Sequence, residues 1–119
     1  MDLKDDPAAI AEYGRLHRNI WPEIARKIQE SGITGMQIYR VGNRLFMVME
    51  TKPGFSFADK AAADEADPLV QQWEALMGTF QQSLPMARPG EKWVVMSKIF
   101  DLTAQSGEEN PEAARKQVP

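Results

Sequence analysis

A chain of 119 residues, 43% of them hydrophobic, suffices for one domain with one modest core and has the composition of an ordinary globular protein. A formal net charge of -3 and a pI near 5.2 provide no basic face for nucleic acid, and no apolar run approaches the roughly 20 residues of a membrane-spanning helix. With no Cys and a single His, disulfides, thiolate nucleophiles, Cys-bound metals and a His-rich metal site within one chain are excluded.

The acidic start Met1-Asp2-Leu3-Lys4-Asp5-Asp6 is no secretory signal, so the expected compartment is the cytoplasm. Met1 to Asp5 reads as a short first strand. Asp6-Pro7 starts a helix, with Asp as N-cap and Pro at the first helical position. Ile10, Tyr13, Leu16 and His17 follow at helical spacing. Pro22 cannot donate to the carbonyl of Arg18, so the helix breaks near Asn19 to Trp21 and resumes through Ile24 and Ile28 to Gly32.

Met36 to Val41 alternates as a strand, with Gln37, Tyr39 and Val41 on one face and Met36, Ile38 and Arg40 on the other. Gly42-Asn43 is a tight turn. Leu45 to Glu50 returns as a nearly all-apolar strand with both faces expected to be covered. Phe57 to Ala66 is an Ala-rich helix. Asp67-Pro68 repeats the cap-then-proline start, and the next helix runs through Val70, Trp73, Leu76, Met77 and Phe80 to Leu84-Pro85. Trp93 to Leu102 alternates as the last strand. One domain is expected over 1–102, with a polar, disordered tail over 103–119. The order strand, helix, strand, strand, helix, strand is the α+β ferredoxin-like βαββαβ arrangement. Its helices cover one face of an antiparallel sheet, and a second subunit is the economical cover for the other.

The chemistry concentrates between Tyr13 and Ile24. His17 is the one side chain whose type exchanges protons near neutral pH in its unperturbed state. Tyr13, four residues earlier, projects from the same helix face. A phenol and an imidazole side by side suit a hydroxylated ligand and proton transfer. Taken alone, a lone His near a helix end is more often a surface or capping residue, and Trp73 fits a plain core stripe.

The run His17-Arg18-Asn19-Ile20-Trp21-Pro22-Glu23-Ile24, with Tyr13 before it, resembles the signature of the L-rhamnose mutarotase family. So do Asn43-Arg44-Leu45-Phe46, Gln71-Gln72-Trp73 and the stretch Trp93 to Leu102, so that the resemblance covers Asp2 to Leu102. It implies a dimeric α+β barrel-type assembly that interconverts the anomers of 6-deoxy-L-hexoses without metal or organic cofactor. The proton-donating His of the family falls on His17, a substrate-binding Tyr on Tyr13 and a substrate-contacting Trp on Trp73. Met36 and Glu74 stand where the rhamnose-type pattern has a second Tyr and a second Trp, a departure that implies a different reading of the sugar's hydroxyls there. The sequence looks closest to a branch associated with L-fucose, and both sugars stay open.

Mutarotation removes a proton from the anomeric hydroxyl and delivers one to the ring oxygen, which suits one group able to act as acid and base. His17 is the candidate. Glu23 and Glu74 qualify only with pKa values raised by burial. Tyr13, Trp73, Met36, Glu74 and Tyr39 are the expected substrate contacts, the partners a 6-deoxy sugar and a second copy of the chain. Two other readings remain from the residues: a non-catalytic dimeric sugar-binding or regulatory module, and a small cofactor-free oxygenase.

Overall fold

Two Asp-Pro pairs set where the helices begin. The computed structural model describes residues 1–104, and in it Asp6 accepts from the Ala8 amide at 3.3 Å while Asp67 accepts from Leu69 at 2.9 Å. These caps open α1 (Pro7–Arg18) and α4 (Pro68–Gly78). The expected break falls at Asn19 to Trp21, and α2 (Pro22–Glu30) restarts with Pro22 at its first position. Ser56 caps α3 (Phe57–Glu65) through the Asp59 amide at 3.2 Å. No helix among the described residues is long and apolar enough to cross a membrane.

The strands are β1 (Asp2–Leu3), β2 (Ile33–Val41), β3 (Arg44–Thr51) and β4 (Gln81–Gln82). They form one antiparallel sheet in the order β2-β3-β1-β4. The element order is therefore βαββαβ with the first strand inside the sheet, as the ferredoxin-like reading requires. Gly42 has φ +58 and Asn43 a negative φ, the type II′ pattern that closes a two-residue hairpin between β2 and β3. Asn43 also holds β1: its carbonyl accepts from the Leu3 amide at 2.7 Å and its side-chain amide donates to the Leu3 carbonyl at 2.9 Å.

The core lies between the sheet and the helices. Met1, Leu3 and Leu45 from the sheet meet Tyr13 and Ile24 from α1 and α2 and Val70, Trp73 and Met77 from α4. Leu3 is completely buried. The Lys27 ammonium lies 3.0 Å from the Asp67 carboxylate, tying α2 to the start of α4.

Two expectations are corrected. α4 ends at Gly78 rather than near Leu84, because Gly is a poor helix residue and the Thr79 hydroxyl closes the last turn on the Leu76 carbonyl at 2.7 Å. That early stop frees Gln81–Gln82 to pair with β1, so the fourth strand is there and not at Trp93 to Leu102. The latter stretch is an extended arm outside the sheet, ending in a 3-10 turn at Leu102–Ala104. Within the single chain the helices cover one face of β3, and Tyr39, Val41, Phe46 and Val48 share the exposed other face, the one for which a second subunit is expected. The tail expected over 103–119 lies outside the described residues from 105 onward.

Candidate active site

α1 presents Tyr13 and His17 one turn apart, and their rings stack with centroids 4.1 Å apart at 28°. His17 Nδ1 lies 2.8 Å from the Tyr13 carbonyl oxygen. A carbonyl only accepts, so Nδ1 carries the proton and donates it, and Nε2 keeps its lone pair. The half-buried imidazole is thereby held by its own helix through Nδ1.

α4 brings Trp73 to the same place, its ring centroid 5.8 Å from His17. Trp73 is at once core and neighbour of His17: it is buried in the stripe with Val70 and Met77. Trp21, in the break between α1 and α2, stands edge-on to Trp73 at 5.1 Å, a packing role consistent with its position at the kink. Phe80 stands edge-on to Tyr13 at 6.4 Å. Burial pushes the Tyr13 phenol above its ordinary pKa, and interaction with the Gln81 side chain pulls part of the way back.

The structure thus unites His17, Tyr13 and Trp73. Met36 is half-buried on the helix-facing side of β2, the same side of the sheet as the cluster. Tyr39 lies on the opposite side and is 59% exposed, so the single chain does not bring it to His17. Glu74 turns away from Trp73 into an open depression of about 470 Å³ between α3 and α4, shared with Phe57, Lys60, Asp64 and Gln71. None of His17, Tyr13 and Trp73 lines that depression. Glu23 is exposed in the first turn of α2. Gln81 was not foreseen as part of the neighbourhood; read as the end of a helix, it carried no signal.

A ferredoxin-like α+β domain with an imidazole, a phenol and an indole gathered on the helix side of its sheet defines a small protein built for acid–base chemistry on a polyhydroxylated ligand. The family is more particular. Residues 1–102 match the family model described as L-rhamnose mutarotase. An L-fucose mutarotase of Xanthomonas campestris is 47% identical over 105 residues, covering 87% of this chain and 84% of that protein. A UPF0734 protein of Dictyostelium discoideum is 34% identical over 86% of this chain and 85% of its own length. An L-rhamnose mutarotase of Acidiphilium cryptum is 31% identical over 71% of this chain and 79% of its own length. The chain belongs to the L-rhamnose mutarotase family.

Proposed function

We propose that the protein interconverts the α and β anomers of a 6-deoxy-L-hexose pyranose, with His17 as the acid–base group and Tyr13 and Trp73 as substrate contacts. It is an isomerase-type enzyme of the mutarotase family. One observation carries the assignment of roles: the His17 ring, locked through Nδ1 to the Tyr13 carbonyl, stacked on Tyr13 and adjacent to Trp73.

His17 Nε2 takes the proton of the anomeric hydroxyl. As the C1–O1 bond becomes a carbonyl, the C1–O5 bond breaks and the ring oxygen takes a proton. Rotation about C1–C2 and the reverse sequence close the ring on the other face of C1, so protons and electrons balance over the cycle. The imidazolium formed when Nε2 accepts is itself the acid for the ring oxygen, which suits a single group with two roles. Trp73 offers an apolar surface for the deoxy face of the sugar, and the Tyr13 hydroxyl a donor and acceptor for its hydroxyls.

L-Fucose is placed ahead of L-rhamnose as the preferred sugar. The 47% identity to an L-fucose mutarotase supports this order, as do Met36 and Glu74 at positions where the rhamnose-type pattern is aromatic. The working form is a homodimer packed sheet to sheet. Tyr39, Val41, Phe46 and Val48 share the open face and are all exposed in the single chain, an apolar face of the kind a partner covers.

Saturation-transfer NMR on each free sugar tests the reading. Exchange between anomer signals rises above buffer with L-fucose and less with L-rhamnose. No acceleration with either sugar removes the mutarotase assignment. Dioxygen consumption with an electron-rich substrate would favour the oxygenase reading instead.

A further inference from the structure

Among the described residues, three of the four α-helices begin as their chemistry asks: Asp6, Ser56 and Asp67 stand at the N-cap and accept from main-chain amides of the first turn. The other does not. α2 has Trp21 at its N-cap, a side chain that can only donate, and no side-chain cap bond is made there. The Trp21 main chain is nonetheless fixed. Pro22 follows it at the first helical position, and its carbonyl accepts from the Ile24 amide at 2.9 Å and the Ala25 amide at 3.2 Å. A place where Ser, Asp or Asn would satisfy an open amide is given to an indole. Such a departure from local preference points to a demand made elsewhere in the fold.

What the indole touches shows that demand. The half-buried Trp21 ring meets the Trp73 ring edge-on, with centroids 5.1 Å apart at 66°. Trp73 in turn lies 5.8 Å from His17 at 60°. Edge-on aromatic pairs prefer a defined arrangement of their rings, which a contact with an aliphatic side chain lacks. His17 stands near the end of α1 and Trp73 on α4, so neither helix by itself sets the angle between the two rings. Trp21 follows α1 directly, has a pinned main chain and bears on Trp73, so it links the two.

We propose that Trp21 is a positioning residue of the mutarotase site: its ring edge holds the Trp73 indole at the angle to His17 that a 6-deoxy sugar requires, without touching the sugar itself. The proposal rests on the mutarotase reading for its substrate, but not for its geometry.

In the wild type, nuclear Overhauser effects between the Trp21 and Trp73 ring protons are expected, and their absence overturns the proposal. Trp21→Ser supplies the missing cap and removes the ring. The chain has one His, so the His17 ring-proton signals are unambiguous. They are displaced in Trp21→Ser as the Trp73 ring current moves. For anomer exchange of L-fucose, kcat/KM falls by about three- to tenfold, the worth of one edge-on aromatic contact, while far-ultraviolet circular dichroism is kept. Trp21→Phe retains an aromatic edge and stays within about twofold of the wild type. In a Trp73→Leu background Trp21→Ser has no further effect on kcat/KM. Unmoved His17 signals, no rescue by Phe, or an equal loss in the Trp73→Leu background overturns the proposal and leaves Trp21 a packing residue at the helix break. Should Trp21→Ser not fold, Trp21→Leu takes its place with the same expectations. The NMR readouts need no turnover, so failure of the positioning role is distinguishable from failure of the mutarotase assignment.

Discussion

The two faces of the sheet are made from the same strands and differ in everything else. On the helix side Leu3 and Leu45 are buried and Tyr13, His17 and Trp73 close over them as one aromatic cluster. On the other side Val48 is 51% exposed, with Tyr39, Val41 and Phe46 around it. Strand alternation alone makes two such faces, because successive side chains point opposite ways. The helices then decide which face becomes a core within one chain. The open face also carries apolar side chains, Tyr39, Val41, Phe46 and Val48, beside the Asp2–Arg44 pair, so coverage as well as composition separates the two. The proposed site lies on the face that a single chain completes, and the proposed assembly uses the face that it does not.

The sharpest way to break this division is at His17. His17→Ala is expected to lower anomer exchange by about 10²–10⁴, the usual worth of a positioned proton-transfer group, with circular dichroism and assembly unchanged. The pH dependence of the rate should flatten in the same variant. A folded, dimeric variant running at the wild-type rate would move the role to Glu23 or Glu74. Next in size is the core under the cluster. Leu3→Ala should cost about 2–5 kcal/mol in urea denaturation, as other buried Leu truncations do. A cost within experimental error would mean that β1 contributes little to the packed face.

The open face is probed by Phe46→Glu. A carboxylate forced into an apolar interface should weaken dimerisation by several kcal/mol, roughly 100-fold or more in dissociation constant, readable by sedimentation velocity. Because Phe46 is exposed in the single chain, the fold of the protomer should survive. A variant dimer as tight as the wild type would place the interface elsewhere.

The smallest effect concerns the ion pair on that same face. Arg44 donates to both Asp2 oxygens at 2.9 and 3.1 Å and holds the carboxyl below its ordinary range, overriding the opposing push of burial. A carboxyl with a depressed folded pKa stabilises the fold above its unfolded value and loses that contribution as pH falls through the folded value. The wild type should thus have the higher denaturation midpoint above the ordinary carboxyl range and lose that margin over Arg44→Gln as pH falls through and below that range. Coincident acid profiles would show that the pair is neutral in stability, as many half-exposed pairs are.

Much of this architecture was legible in the sequence because it depends on local chemistry. Asp-Pro pairs and Ser56 mark helix starts, Pro22 marks the break, and Gly42-Asn43 marks the hairpin; none needs a distant partner. Trp93 to Leu102 shows where that stops working. Its alternation describes a segment suited to a sheet, but alternation does not say which edge is free, and Gln81–Gln82 already occupies the edge of β1. A two-residue strand is too short to leave a period at all. The candidate site follows the same logic. The i, i+4 spacing puts Tyr13 and His17 on one helix face, but they, like Trp73, stand out from helix-end and core residues only through the family resemblance. Met36 and Tyr39 are three residues apart on one strand, so they fall on opposite faces and cannot both meet His17 within one chain. Glu74 follows Trp73 on a helix and is rotated by about 100° from it, which directs it into the α3–α4 depression.

Asn43 carries a consequence for error correction in folding. A strand of two residues has almost no length with which to find its place, and a slip by a single residue would turn Asp2 inward and Leu3 outward. Asn43 brackets Leu3 from both sides, main chain to main chain at 2.7 Å and amide to carbonyl at 2.9 Å. The hairpin, formed from neighbours in sequence, thus acts as a jig in which the incoming N-terminal segment fits in one setting only. Misthreading is resisted by one turn residue, and the carboxylate that would otherwise be driven into the core is delivered to Arg44.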